Sequence, residues 1–191
     1  MLKLDVVNRC LGSMGQVPLN SLTEPHRFKG AALALLTQID KQVQAKGWWC
    51  NKECLTLSPS GLDSAVYLPG DTINVETNQR GYIQRGRRLY DRFKGTYTFT
   101  APVSVTLIRL VPFEDLPELL AALIAADVVV RFQAEYDGDR AKAELLVSEA
   151  RDARLEANAE NIRQSEVNLH TSNYSLNRIK RKARGVRGFT L

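Results

Sequence analysis

Apolar residues recur at helical spacing at both ends of the chain and at strand spacing in its middle. Leu4, Val7, Leu11 and Met14 share one helical face, and Gly15 stops the run. A loop from Gly15 to Leu19 follows. Thr23 is placed to cap a second helix with Pro25 in its first turn. That helix carries the stripe Phe28, Ala32, Leu35, Leu36, Ile39 and Val43 and ends at Gly47. After Trp48 and Trp49 the runs shorten. Leu55–Leu57, Ala65–Leu68, Ile73–Val75, Gly81–Ile83, Arg88–Tyr90 and Thr96–Phe99 read as strands, punctuated by Pro59, Gly61, Pro69-Gly70-Asp71, Gly86 and Gly95. Val103 to Val111 is the strongest strand pattern.

A long apolar helix is predicted from Leu116 to about Tyr136, opened by an acidic capping box of Asp115 and Glu118 around Pro117. Asp137-Gly138-Asp139 makes a turn. A fourth helix runs from about Arg140 to Gln164, with the small-residue stripe Ala143, Leu146, Ala150, Ala153 and Ala157 and charged residues elsewhere. The stripe lets another helix approach closely. Together these elements predict an α+β fold: a four-helix bundle with a small β-rich lobe inserted between helices two and three, plus an extended C-terminal arm. The expected divisions are 1–49 and 112–165 for the bundle, 50–111 for the insert and 166–191 for the arm.

Charge sharpens the picture of the arm. Arg178, Lys180, Arg181, Lys182, Arg184 and Arg187 face only Glu166, and this excess equals the formal charge of +5 of the whole chain. The body is therefore balanced and the arm cationic, which suggests a folded module with a segment that grips something acidic. The arm has few large apolar residues, Phe189 among them, so it is expected to order on a partner. A second cluster, Arg80, Arg85, Arg87, Arg88, Arg92 and Lys94, surrounds Tyr82 and Tyr90 with only Asp91 opposing. It reads either as a surface for nucleic acid or an acidic partner, or as a solvated hairpin. The remaining composition is that of an ordinary globular protein, 44% hydrophobic and 25% charged. Three cysteines, no secretory leader pattern and no apolar run long enough to span a bilayer point to folding in a reducing cytosol without a membrane.

The search for catalytic chemistry finds little. His26 and His170 stand apart from any nucleophile motif. Cys50 and Cys54 would need Cys10 and a distant histidine to complete a zinc site, and burial as small apolar residues is the simpler account. Glu114, Asp115 and Glu118 could do acid–base work on a glycan, but helix capping explains the same residues. No Gly-rich phosphate loop is present. The reading is a non-enzyme with no cofactor and no metal.

The segment Val7-Asn8-Arg9-Cys10-Leu11-Gly12-Ser13-Met14-Gly15-Gln16-Val17-Pro18-Leu19-Asn20-Ser21-Leu22 resembles the opening of the tail tubular protein A family, the adaptors or head-to-tail connectors of short-tailed bacteriophages. Further matching motifs follow in order: Ile39 to Trp48, Asn78 to Tyr82, Tyr90-Asp91-Arg92-Phe93, Ile108-Arg109-Leu110 through Glu118, and Arg131-Phe132-Gln133. The resemblance covers roughly residues 6 to 160 and departs at the basic arm. It implies a virion tail protein, assembled in the bacterial host cytoplasm, that forms rings of twelve copies. One side of such a ring holds the portal, the other the tail nozzle (tail tubular protein B), with fibres or spikes as candidates at the nozzle junction. The genome leaves through the central channel.

On this basis the expected site residues fall into three groups. Arg178, Lys180, Arg181, Lys182, Arg184, Arg187 and Phe189 form a portal-binding arm. Ala143, Leu146, Ala150, Ala153 and Ala157 pack subunits side by side. Arg80, Arg85, Arg87, Arg88 and Arg92 face the nozzle or make non-specific contact with passing DNA. Two other classes stay open: a nucleic-acid-binding protein with a basic arm, and a cell-wall or capsule glycan hydrolase.

Overall fold

The computed structural model describes residues 1–171, with side chains through residue 165. The elements in chain order are α1 (Lys3–Ser13), α2 (Lys29–Gln44), β1 (Lys52–Leu57), β2 (Thr72–Thr77), β3 (Tyr82–Arg85), β4 (Arg88–Asp91), β5 (Val103–Arg109), a 3-10 turn at Phe113–Asp115, α3 (Glu118–Tyr136) and α4 (Arg140–Thr171). The chain is α+β. The basic residues expected in the arm, Arg178 to Arg187, and Phe189 lie outside the described residues.

Helix α3 is apolar around its circumference and is covered on several sides. Leu120, Leu123, Ile124, Val128, Val129 and Phe132 are all buried. Helices α1 and α2 pack against it and against each other, and α4 lies along it. Val6, Val7, Cys10 and Leu11 of α1 and Leu35, Leu36, Ile39 and Val43 of α2 complete this helical core. Phe28 meets the rings of Phe132 and Tyr136 edge-on at 6.1 and 5.5 Å and closes one end of it.

The expected four-helix bundle with an inserted lobe is not what the chain builds. All five strands come before α3 and α4, and they make two sheets with a core of their own. Nor does α4 act as the fourth wall of a closed bundle. Of its described side chains, through residue 165, only Ala150 and Ala157 are buried, while Leu145, Val147, Leu155 and Ile162 face solvent. Small side chains let α4 approach α3 closely, but they offer too little apolar area to cover a second side. Arg154 holds the pair in place through both oxygens of Asp127, at 2.9 and 2.6 Å.

Two local expectations also change. The second helix begins at Lys29, not near Thr23, because Pro25 disfavours helical backbone at Glu24 and the Ser21 and Thr23 hydroxyls bond each other in a turn. The capping box at Asp115 and Glu118 does not form. Pro117 itself occupies the N-cap, and Glu118 pairs with the N-terminal amine at 3.2 Å.

In the larger sheet the strand order is β1-β5-β2, all antiparallel. Val103, Val105 and Leu107 of β5 point into the β core with Val66, Leu68, Leu89 and Phe99. Ser104 and Thr106 face away. Arg109 reaches from β5 to Glu53 on one side and Asp71 on the other, clamping both edges. Its guanidinium holds the Asp71 carboxyl below the usual range.

Two buried amides join the sheet to the helices. Gln44 donates to the Val111 carbonyl at 2.8 Å and accepts from the Val111 N–H at 2.9 Å. Asn51 donates to the carbonyls of Gln44 and Arg109, both at 3.0 Å, and accepts from the Trp48 N–H at 2.8 Å. Between them Gly47 adopts φ +76°, and a side chain there would collide with Lys52 and Ile108. The α2 C-terminus and the exit of β5 are thereby locked in register. Gln44→Leu leaves both Val111 backbone groups unpaired and is expected to cost about 2–4 kcal/mol with an unchanged m-value in urea unfolding.

Candidate docking surfaces

Strands β3 and β4 form a hairpin with Ile83 opposite Tyr90 and Arg85 opposite Arg88. Cross-strand partners share a face, so these four residues lie on one side and Leu89 and Asp91 on the other. Leu89 and Asp91 are buried. On the outward side the Arg85 guanidinium sits 3.7 Å over the Tyr90 ring and that of Arg88 sits 4.5 Å over Tyr97. The Tyr90 and Tyr97 rings are themselves 4.9 Å apart. An isolated bridge to Arg88 adds Tyr67, which is 51% exposed. The result is a continuous surface in which Arg85, Tyr90, Tyr97, Arg88 and Tyr67 follow one another.

The sequence grouped the six cations around Tyr82 and Tyr90; the hairpin itself holds Arg85, Arg87 and Arg88, Tyr90 lies under Arg85, and the Tyr82 ring turns inward against Phe99 at 5.1 Å. The tyrosines that the arginines cover include Tyr97, brought from a separate segment. Its only advance signal was the alternation of Thr96-Tyr97-Thr98-Phe99.

Arg80, Arg85, Arg87, Arg88, Arg92 and Lys94 make no ion pair with a carboxylate among the described residues; Asp91, the one acid within this segment, accepts instead from the backbone N–H groups of Phe93 and Lys94, at 2.9 and 3.1 Å, and Asp63 at the edge of the face accepts from the Tyr67 hydroxyl at 2.7 Å. Asp91 thus shapes the turn and does not stand among the arginines as a counter-ion. Arg92 rests 5.2 Å over the Phe93 ring, which is 70% exposed and packs where a side chain on Gly81 would stand. Gly81 has φ +102° and leaves that space.

The small-residue stripe of α4 is occupied within the chain. Ala150 and Ala157 are buried, and Leu146 and Ala153 are partly buried against the helical core, with Ala143 half-buried at the start. Among the described residues Leu145, Val147, Leu155 and Ile162 stay outside; Leu145, Leu155 and Ile162 lie on the opposite side of the helix, with the acids Asp152 and Glu156 between them. The sequence carried a signal for this second stripe, because 145, 152, 155, 159 and 162 also follow helical spacing.

A groove of about 420 Å³ opens between α2 and the strand exit, lined by Leu22, Leu33, Leu36, Leu110 and Phe113 with Asp40 at its side. Burial pushes the Asp40 carboxyl up against the hydrogen bond from Gln44. Glu114 and Asp115 belong to the exposed 3-10 turn, and no group of three or more metal-ligating side chains exists among the described residues. No helix among them is long and apolar enough to cross a membrane.

Extended faces of arginine, tyrosine and leucine on a rigid body are the equipment of a protein that assembles with other macromolecules. Comparison with known proteins agrees. The chain is 25% identical over 127 residues to tail tubular protein A of Klebsiella phage KP34, covering 65% of this chain and 68% of that protein. It also matches the tail tubular protein family over residues 4–167, and the chain belongs to that family, whose members are structural components of phage tails.

Cysteine reactivity checks the packing beneath these surfaces. Burial pushes the Cys10 thiol up to about 12 and raises that of Cys50 too, while Cys54 stands exposed on β1. A disulfide reagent at pH 8 should modify Cys54 rapidly and Cys50 slowly. Cys10 should react only on unfolding, since its thiolate is scarce until the pH approaches its raised pKa.

Proposed function

We propose that this protein is the connector of a short phage tail: a ring of identical copies joining the portal vertex to the tail nozzle around the DNA exit channel. The observation that carries the reading is the family match, which spans the helical core and the strand region together. The charge distribution supports it. A balanced body suits packing among copies, and a cationic C-terminal segment suits docking on an acidic neighbour. In this reading Arg178 to Arg187 and Phe189 lie on the portal, where arginines pair with carboxylates in two-pronged fashion. The body contributes ring contacts and the nozzle face. Passing DNA is met, if touched, through phosphate contacts without sequence preference.

Truncation after Gln164 tests the division of labour. The last described tertiary bond of α4, from the Trp49 N–H to Asn161 at 3.0 Å, is kept. The shortened protein is expected to retain its circular dichroism and tryptophan fluorescence but lose binding to purified portal by at least tenfold. Undiminished portal binding would refute the role given to the C-terminal segment.

A further inference from the structure

The arginine–tyrosine face of the β3–β4 hairpin and the outer stripe of α4 have matching chemistry, and each is uncovered. The hairpin offers cations that lack a carboxylate partner, set on tyrosine rings. The α4 stripe offers Asp152 and Glu156, which form no ion pair among the described residues, beside Leu155 and Ile162, 61% and 57% exposed. Arg151 flanks this stripe on the far side of Leu155, and Arg163 is held by Glu160 at 2.7 Å. From Leu145 to Ile162 the stripe extends about 26 Å along the helix, comparable with one side of a standard protein interface.

We propose that the hairpin face of one copy docks on the outer α4 stripe of the next, with Arg85 and Arg88 meeting Asp152 and Glu156, and with Tyr67, Tyr90 and Tyr97 covering Leu155 and Ile162. The proposal rests on the ring reading and supplies its subunit contact. Two unlike faces on one chain bind head to tail, and a head-to-tail contact closes into a ring when its rotation permits. A second copy fits better than DNA. Phosphates would take the charges but leave three tyrosines and two large aliphatic side chains in water, whereas α4 offers a partner for both.

Charge reversal tests this in the full-length chain by sedimentation velocity, with circular dichroism confirming the fold. The wild type is expected to form oligomers. Arg85→Glu with Arg88→Glu should reduce them to monomer, and so should Asp152→Lys with Glu156→Lys. An equimolar mixture of the two variants should re-form oligomers, because each reversed face then meets its complement on the other chain. A monomeric wild type would overturn both the ring reading and this contact. Wild-type oligomers that persist unchanged in either variant, or a mixture that stays monomeric, would overturn the contact alone. Loss of duplex DNA retention on hairpin reversal with oligomer size unchanged would also overturn it, assigning the arginines to the genome.

Discussion

A helix that is apolar around its circumference must be covered from more than one direction, and α3 is such a helix. Meeting that requirement arranges the other helices. Helices α1 and α2 cover α3 with large side chains, and α4 covers what remains with alanines. Close approach through small residues costs α4 its capacity to bury anything else. Leu145, Leu155 and Ile162 are consequently left outside, on a helix that the Arg154–Asp127 pair ties to α3. The exposure of these side chains follows from how α3 is satisfied and is not an accident of a loose helix end.

The β region is coupled to this frame through hydrogen bonds more than through shared apolar contact. Its core is separate from the helical one. Gln44 and Asn51 bridge the two, both buried: Gln44 reaches from α2 to the Val111 backbone, and Asn51 bonds the backbone of Gln44 on one side and of Arg109 on the other. Buried amides of this kind are costly unless satisfied, so they specify one orientation of the sheet against α2. A rigid junction matters for assembly: a face presented by β3–β4 keeps a fixed position relative to α4 only if nothing between them swivels.

Helical periodicity made all four helices legible, because each has at least one face whose burial repeats at the right interval. Gly86 and the alternating residues around it made the hairpin legible for the same reason. What the sequence withheld depends on contacts between distant segments. Tyr97 joins Tyr90 and Arg88 only through the fold. Proline at position 25 outweighed the capping signal of Thr23, and Pro117 took the place expected of Asp115. The four-helix bundle failed as an inference because α4 has two stripes of different character, and the alanine stripe alone suggested how the helix is used. A small-residue stripe shows that something comes close; whether the neighbour belongs to the same chain is decided by the loop that precedes it. Here the short turn at Asp137-Gly138-Asp139 folds α4 straight back onto α3.

The cationic hairpin is the place where charge alone argues least well for a partner. Six basic residues without carboxylates could serve a phosphate backbone or an acidic protein equally, and exposed pairs of either kind contribute little individually. The aromatic component separates the two cases. An arginine stacked on tyrosine is already partly desolvated and ordered, so it loses less freedom on meeting a carboxylate than a free side chain would. The same stacking turns the tyrosine rings into a flat apolar floor between the charges, which a helix bearing both acids and aliphatic side chains can match.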